Sequence, residues 1–196
     1  MPERKNLAGL RNYIDPKGDR HTGVNIRVER TMIVFQTGEL TITTVDGSDM
    51  PALFEVYKQC EDFLSLGSLP MPSVQMVKED INHSRGENGS YCAIREDQGR
   101  IIGVIDFNAK SEENHTSVLS LLMIAAPWRN KGYGQAVVSA LEEYLRKNYE
   151  TKQINSGVQT NNREAIRFWK RLGYQLSAES CNLPDGTVVY TMTKEL

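Results

Sequence analysis

The sequence predicts an α/β domain with a mixed, mostly antiparallel central sheet flanked by helices, and three observations predict it. Ser117–Leu145 reads as a buried strand, a tight glycine turn and an amphipathic helix. Strand-like segments on either side of that unit follow one another through short turns, the pattern of antiparallel hairpins. Helical periodicity falls between them, in the order β, α, α, β, β, β, α, β, α, β, β.

The bulk properties narrow the class. A chain of 196 residues is long enough for one domain with a real core. Charged residues make up 24% and the formal net charge is -2, which argues against a protein devoted to nucleic acid. No run of 18 apolar residues offers a membrane span, and Met-Pro-Glu-Arg-Lys-Asn at the start lacks a signal peptide's apolar core. Cys60, Cys92 and Cys181 are widely spaced, form no metal pattern and leave an odd thiol, so a reducing cytoplasm is the expected setting.

In order along the chain, residues 1–31 are polar with few large apolar side chains, and a polar extension is drawn over residues 1–36, ahead of a domain at 37–196. A start at Met32 is a second expectation for this stretch. Glu39–Val45 alternates β-branched residues as a strand does. Ser48-Asp49-Met50-Pro51 then opens a helix, a capping residue followed by proline in the first turn. Leu53, Phe54, Val56, Tyr57 and Cys60 form its apolar face. Gly67, Pro70 and Pro72 make Leu64–Pro72 a loop, and Ser73–His83 a second helix. Ser90–Glu96 and Arg100–Asn108 form a hairpin around Asp97-Gln98-Gly99; its second arm is apolar except for Asp106. Ala109–Thr116 is a polar loop. From Val118 to Ala126 only Ser120 interrupts the apolar run, which suits a strand covered on both faces. After Gly134, Ala136, Val137, Ala140, Leu141, Tyr144 and Leu145 share one helical face. Gln153–Thr160 is a strand. Asn161 and Asn162 open a helix, with Asn161-x-x-Glu164 in capping-box spacing and Ala165, Ile166, Trp169 and Leu172 inward. Gln175–Ser180 and Thr187–Lys194 close the sheet across Pro184-Asp185-Gly186.

The chemistry concentrates at Arg129-Asn130-Lys131-Gly132-Tyr133-Gly134. A strand, a glycine turn and a helix start leave backbone N–H groups pointing outward with the helix dipole behind them, which favours a phosphate or pyrophosphate. Arg129 and Lys131 add full charges. The P-loop pattern fails because no Lys-Ser/Thr follows the second glycine, and the dinucleotide pattern fails because Val137 holds its third glycine position. A glycine pair after a strand also serves as a plain turn.

Arg129-x-x-Gly132-x-Gly134 after an apolar strand resembles the acyl-CoA loop Q/R-x-x-G-x-G/A of the GNAT N-acetyltransferases. Asn162–Tyr174 (NREAIRFWKRLGY) resembles that family's N-x-x-A-I-x-x-Y-x-x-L-G-F, and the two motifs come in the family's order and spacing. The resemblance covers about Leu40 to the C-terminus. It implies a single domain of that fold and an acyltransferase moving an acetyl group from acetyl-CoA, as cosubstrate and without metal, to a primary amine by direct attack in a ternary complex. The acceptor is a small-molecule amine or a peptide; no nucleic acid or membrane partner is expected, and a homodimer is common in the family.

By the same resemblance, Leu122, Met123 and Ile124 offer free N–H groups to the pantetheine arm and thioester. Arg129, Asn130, Lys131, Gly132, Tyr133 and Gly134 hold the pyrophosphate, and Asn162, also a helix cap, reaches the pantetheine. Glu61, Asp62, Phe63 and Leu64 lie near the acceptor or at a solvated helix end. Trp169 stands where many members have a tyrosine that protonates the leaving thiolate, and an indole is no proton donor near neutral pH. Trp169 then packs on the cofactor or fills core, and water, Tyr174 or Tyr133 becomes the acid. Val118 stands where some members carry a glutamate base. Asp106 is the first candidate base, ahead of Glu112, Glu113, Glu61, Asp62 and His115. A second reading, from the missing tyrosine and base, is a non-catalytic acyl-CoA-binding sensor or partner module.

Overall fold

One bulged strand sets the geometry of the whole molecule. The computed structural model describes residues 32–67, 71–109, 115–183 and 186–196. The polar stretch 1–31, the candidate carboxylates Glu112 and Glu113, and Pro184 and Asp185 of the last turn lie outside the described residues.

Among the described residues, eight strands form one sheet: β1 (Ile33–Thr37), β2 (Leu40–Thr44), β3 (Ser90–Arg95), β4 (Ile101–Asn108), β5 (Thr116–Ile124), β6 (Gln153–Gln159), β7 (Gln175–Asn182) and β8 (Val188–Glu195). Their spatial order is β1-β2-β3-β4-β5-β6-β8-β7. Only β5 and β6 run parallel; every other neighbour pair is antiparallel. A parallel pair needs a crossover, and helix α4 (Tyr133–Tyr149) supplies it. The remaining helices are α1 (Met50–Lys58), α2 (Glu61–Leu64), α3 (Val74–Gly86) and α5 (Arg163–Arg171).

The helices cover both faces. One core packs Ile42, Ile94, Ile105, Phe107 and Leu119 against Val137, Leu141, Leu145 and Trp169 of α4 and α5. The other packs Val104, Leu121 and Met123 against Leu53, Val56, Tyr57, Val77 and Ile81 of α1 and α3. Leu119 and Leu121 therefore face opposite cores although they are two residues apart. The cause is a bulge: Phe107 opposes Leu119 and Asp106 opposes Leu121, which leaves Ser120 as the extra residue on β5. A bulge bends the strand that carries it and shifts its side-chain alternation.

The same bulge opens the sheet. β5 and β6 pair from Thr116/Gln153 to Leu119/Ser156 and no further. The Ser156 hydroxyl donates to the Leu119 carbonyl at 2.8 Å and closes the last rung. Beyond it the two strands part, and the β6-facing edge of β5 has no strand partner. On the other flank, β4 and β5 stay tight because Gly103 lacks a side chain. A Cβ there would lie 2.5 Å from the Met123 carbonyl oxygen.

Three local details differ from the sequence expectation. Ile33–Thr37 forms a strand against β2 across the boundary drawn after residue 36; Ile33 is 62% exposed, so burial leaves little pattern to read. The cap of the turn before α1 starts at Asp46 rather than Ser48: its Oδ1 accepts from the Ser48 N–H at 2.7 Å, and Asp49 completes the box by accepting from the Asp46 N–H at 3.2 Å. Asn162, not Asn161, caps α5: its Oδ1 accepts from the Ala165 N–H at 2.9 Å.

Candidate active site

A cleft of about 730 Å³ opens where β5 and β6 part. Its floor is Leu122, Met123 and Ile124. One end is the glycine turn. One wall is the strap of α1's end and α2, with Cys60, Asp62, Phe63 and Leu66; the other is α5, with Asn162, Arg163, Arg167, Phe168 and Arg171.

The turn is built for an anion. Asn130 and Gly132 take left-handed backbone angles, φ +61° and +83°, and Gly132 is the N-cap of α4. Among the described residues no side chain caps this 17-residue helix, so its first N–H groups are open toward the cleft. A Cβ on Gly134 would come within 3.4 Å of the Phe168 ring, so a larger residue would fill the space between turn and α5.

Arg129 does different work from that expected of a free charge. Its Nε donates to the Ile124 carbonyl at 2.8 Å, and its guanidinium grips both oxygens of Asp62 at 2.5 and 3.0 Å. A longer contact of 3.4 Å reaches the Gln59 carbonyl. The residue ties the end of β5 to the strap. The guanidinium holds the Asp62 carboxyl below its ordinary value, and Asp62 raises that of Arg129. Asn161 ties the same wall from the other side, its Nδ2 donating to the Leu66 carbonyl at 3.0 Å.

The cleft gathers Leu122, Met123, Ile124, Arg129, Asn130, Gly132, Tyr133, Gly134 and Asn162 from the expected set, together with Asp62 and Phe63. Six expected residues are elsewhere. Lys131 turns outward, its Nζ 4.8 Å from the centre of the Trp128 ring beside a neighbouring groove. Trp169 is 6% exposed and packs edge-on between Phe168 and Tyr174, at 5.1 and 4.8 Å between ring centres; Phe168 faces the cleft in its stead. Asp106 is buried on the α3 side, where its Oδ1 accepts from Ser84 at 2.7 Å. Beside it the Tyr57 hydroxyl donates to Asp80 at 2.6 Å and lies 3.0 Å from the Tyr91 hydroxyl. Glu61 is exposed and Leu64 buried, and neither lines the cleft. His115 sits at the far end of β5, its Nδ1 3.1 Å from the Glu150 carbonyl.

The two tyrosines considered as acids differ as well. Tyr174 is buried behind Trp169, and burial drives its phenol far above the usual range. Tyr133 lines the cleft, but its hydroxyl donates to Glu39 at 2.6 Å, and that bond raises its pKa. Cys60 lines the cleft with its thiol 3.5 Å from the Ile124 carbonyl, and burial pushes the thiol up. Sequence reasoning passed over Phe168, Arg163, Arg167 and Arg171. The four-residue spacing of the arginines was the available signal for one helical stripe. Among the described residues, no group of His, Cys, Asp and Glu side chains could hold a metal ion, and no helix is long and apolar enough to cross a membrane.

A parted parallel strand pair beside an uncapped, glycine-led helix forms the cleft of this α/β protein. Residues 50–174 match the sequence profile of the Acetyltransferase (GNAT) family, and the chain belongs to that family; it is an acyltransferase. It is 34% identical over 82 residues to the uncharacterized protein YyaT of Bacillus subtilis (strain 168), a match spanning 42% of this chain and 52% of that protein. The chain thus matches about half the length of that relative. The same fold occurs in a Salmonella typhimurium acetyl transferase that modifies the N-terminal serine of ribosomal protein L7/L12, with a TM-score of 0.66 at 17% identity over 85% of this chain and 99% of that one. It occurs again in spermidine N-acetyltransferase from Vibrio cholerae, solved with CoA and spermine, with a TM-score of 0.63 at 15% identity over 80% of this chain and 95% of that one.

Proposed function

We propose that this chain transfers an acetyl group from acetyl-CoA to a primary amine by direct attack within a ternary complex. The observation that carries the reading is the parting of β5 and β6 at the Ser120 bulge, directly beside the open N-terminus of α4. The pyrophosphate meets the N–H groups of the turn, and the pantetheine arm runs along the unpaired edge of β5 at Leu122–Ile124. A backbone N–H on that edge would stabilise the charge that grows on the thioester oxygen. Holding the thioester and the amine side by side supplies much of the rate enhancement. Asn162 borders the arm while its Oδ1 holds the helix cap.

Direct attack suits the cleft better than an acyl-enzyme. Cys60, the thiol of the strap wall, is pushed away from the thiolate form that a nucleophile requires. Proton traffic runs through water. Asp62 is committed to Arg129 and Asp106 lies behind the sheet's covered face, so neither serves as base. Tyr133 is the phenol among the described cleft residues, and its proton is engaged with Glu39.

The acceptor is a small amine or a peptide terminus; the neighbours named above acetylate one of each. Free-thiol release from acetyl-CoA, followed across polyamines, aminoglycosides, amino acids and short peptides, tests the reading. An amine-dependent rate is expected. No rate with any amine, while CoA still raises the melting temperature, would replace the enzyme reading with an acyl-CoA-binding module.

A further inference from the structure

Three arginines mark the α5 wall. Arg163, Arg167 and Arg171 recur every four residues, are all exposed, and all line the cleft. At 1.5 Å per residue they span about 12 Å along the helix. Like charges at this spacing oppose one another and weaken a helix by themselves. Arg129, the other cation of the cleft, is neutralised by Asp62; against the three arginines stands only Glu164 among the described cleft residues. The chain as a whole is net -2, so this positive stripe runs against its overall charge. An anion in the cleft would relieve the repulsion, and the stripe stands across from the turn that already serves one anionic group.

Resting on the acetyl-CoA reading, we infer that Arg167 and Arg171, with Arg163 at the head of the stripe, form a second phosphate subsite that reads the 3′-phosphate of the CoA nucleotide. The chemistry fits the ligand. A CoA molecule carries a pyrophosphate and, a ribose away, a phosphate monoester of nearly two charges. The uncapped helix start offers N–H groups for the first. Guanidinium forks match a phosphate monoester in charge and in planar geometry. The donor is then free acyl-CoA, distinguished from a pantetheine arm on a carrier protein, which ends in a single phosphodiester and has no nucleotide. The same stripe repels a cationic acceptor, so the amine enters along the strap wall, where Asp62 and Phe63 lie.

Calorimetric titration of CoA, 3′-dephospho-CoA and 4′-phosphopantetheine into the full chain and into Arg167→Gln/Arg171→Gln tests the subsite. The unaltered protein should bind CoA about tenfold more tightly than either ligand lacking the 3′-phosphate, as two solvent-facing charged contacts allow. That ratio should narrow as salt screens the arginines. In the double variant it should fall to about one, with 3′-dephospho-CoA bound as before, which also shows that the fold is intact. Lys170→Gln, exposed and outside the cleft lining, should leave the ratio unchanged. Equal affinities in the unaltered protein, or an equal loss for both nucleotides in the double variant, would overturn the assignment. If none of the three ligands binds, the acetyl-CoA reading itself fails.

Discussion

The two walls of the cleft are made in opposite ways. The strap wall is locked: Arg129 joins Ile124 to Asp62, and Asn161 holds Leu66. Its charges are consumed in keeping its shape. The α5 wall leaves its charges open, with three exposed arginines and the Phe168 ring on the cleft side and Trp169 and Tyr174 packed behind. Charge that is spent on architecture cannot also be spent on a ligand, and the residue type alone does not reveal which use applies.

The sharpest way to break this division is at the α5 wall, where two adjacent aromatics do unlike work. Trp169→Ala should destabilise the protein by about 3–5 kcal/mol, because it empties a buried site; for a chain of this size the melting temperature should fall by about 10 °C. Phe168→Ala should cost less stability and more CoA affinity, since its ring faces the cleft; calorimetry of both variants reads the difference. Gly134→Val comes next. Its side chain would enter the 3.4 Å contact with Phe168 and crowd the turn. CoA affinity should fall about 100-fold with only a small change in melting temperature, and an unchanged affinity would show that the turn does not receive the ligand.

The strap wall should give smaller effects. Arg129→Ala removes a tie whose partner Asp62 is 64% exposed in its side chain, so solvent screening limits the loss to about 1 kcal/mol, or 2–4 °C. The pH dependence sharpens that result. Arg129 depresses the Asp62 carboxyl below its ordinary 3.8. A depressed carboxyl stabilises the fold above its unfolded pKa, and the contribution is lost as pH falls through the folded value. The melting temperatures of the unaltered protein and Arg129→Ala should therefore converge as pH drops below 3.8, and a gap that persists in acid would assign the tie to packing instead.

How far could the sequence see? The strand, turn and helix at Ser117–Leu145 were legible because apolar runs, two glycines and helical periodicity are local signals. The sequence offers both Asn161 and Asn162 as caps of α5, since either satisfies the local pattern, and only the tie to Leu66 assigns Asn161 elsewhere. Periodicity already puts Trp169 inward with Ala165, Ile166 and Leu172, and it is buried; that Phe168 beside it lines the cleft depends on the glycine turn that packs against its ring. Arg129 and Asp62 are 67 residues apart, so their pairing depends on tertiary structure. Asp106 stood out as a lone carboxylate in an apolar strand, but its partner Ser84 arrives from a helix 22 residues earlier. Ser120 was visible as the single polar residue of its run; that it marks a bulge required the register of β4 against β5.

Gly103 carries a consequence for anyone who maps this protein by mutation. It sits on the far side of β5 from the cleft mouth and lines none of it, yet any added side chain would press on the Met123 carbonyl, part of the cleft floor. An alanine there would push that floor into the cleft. A screen for lost function would therefore score Gly103 beside the residues that line the cleft, and a map drawn from such a screen would place a contact where there is only a spacer.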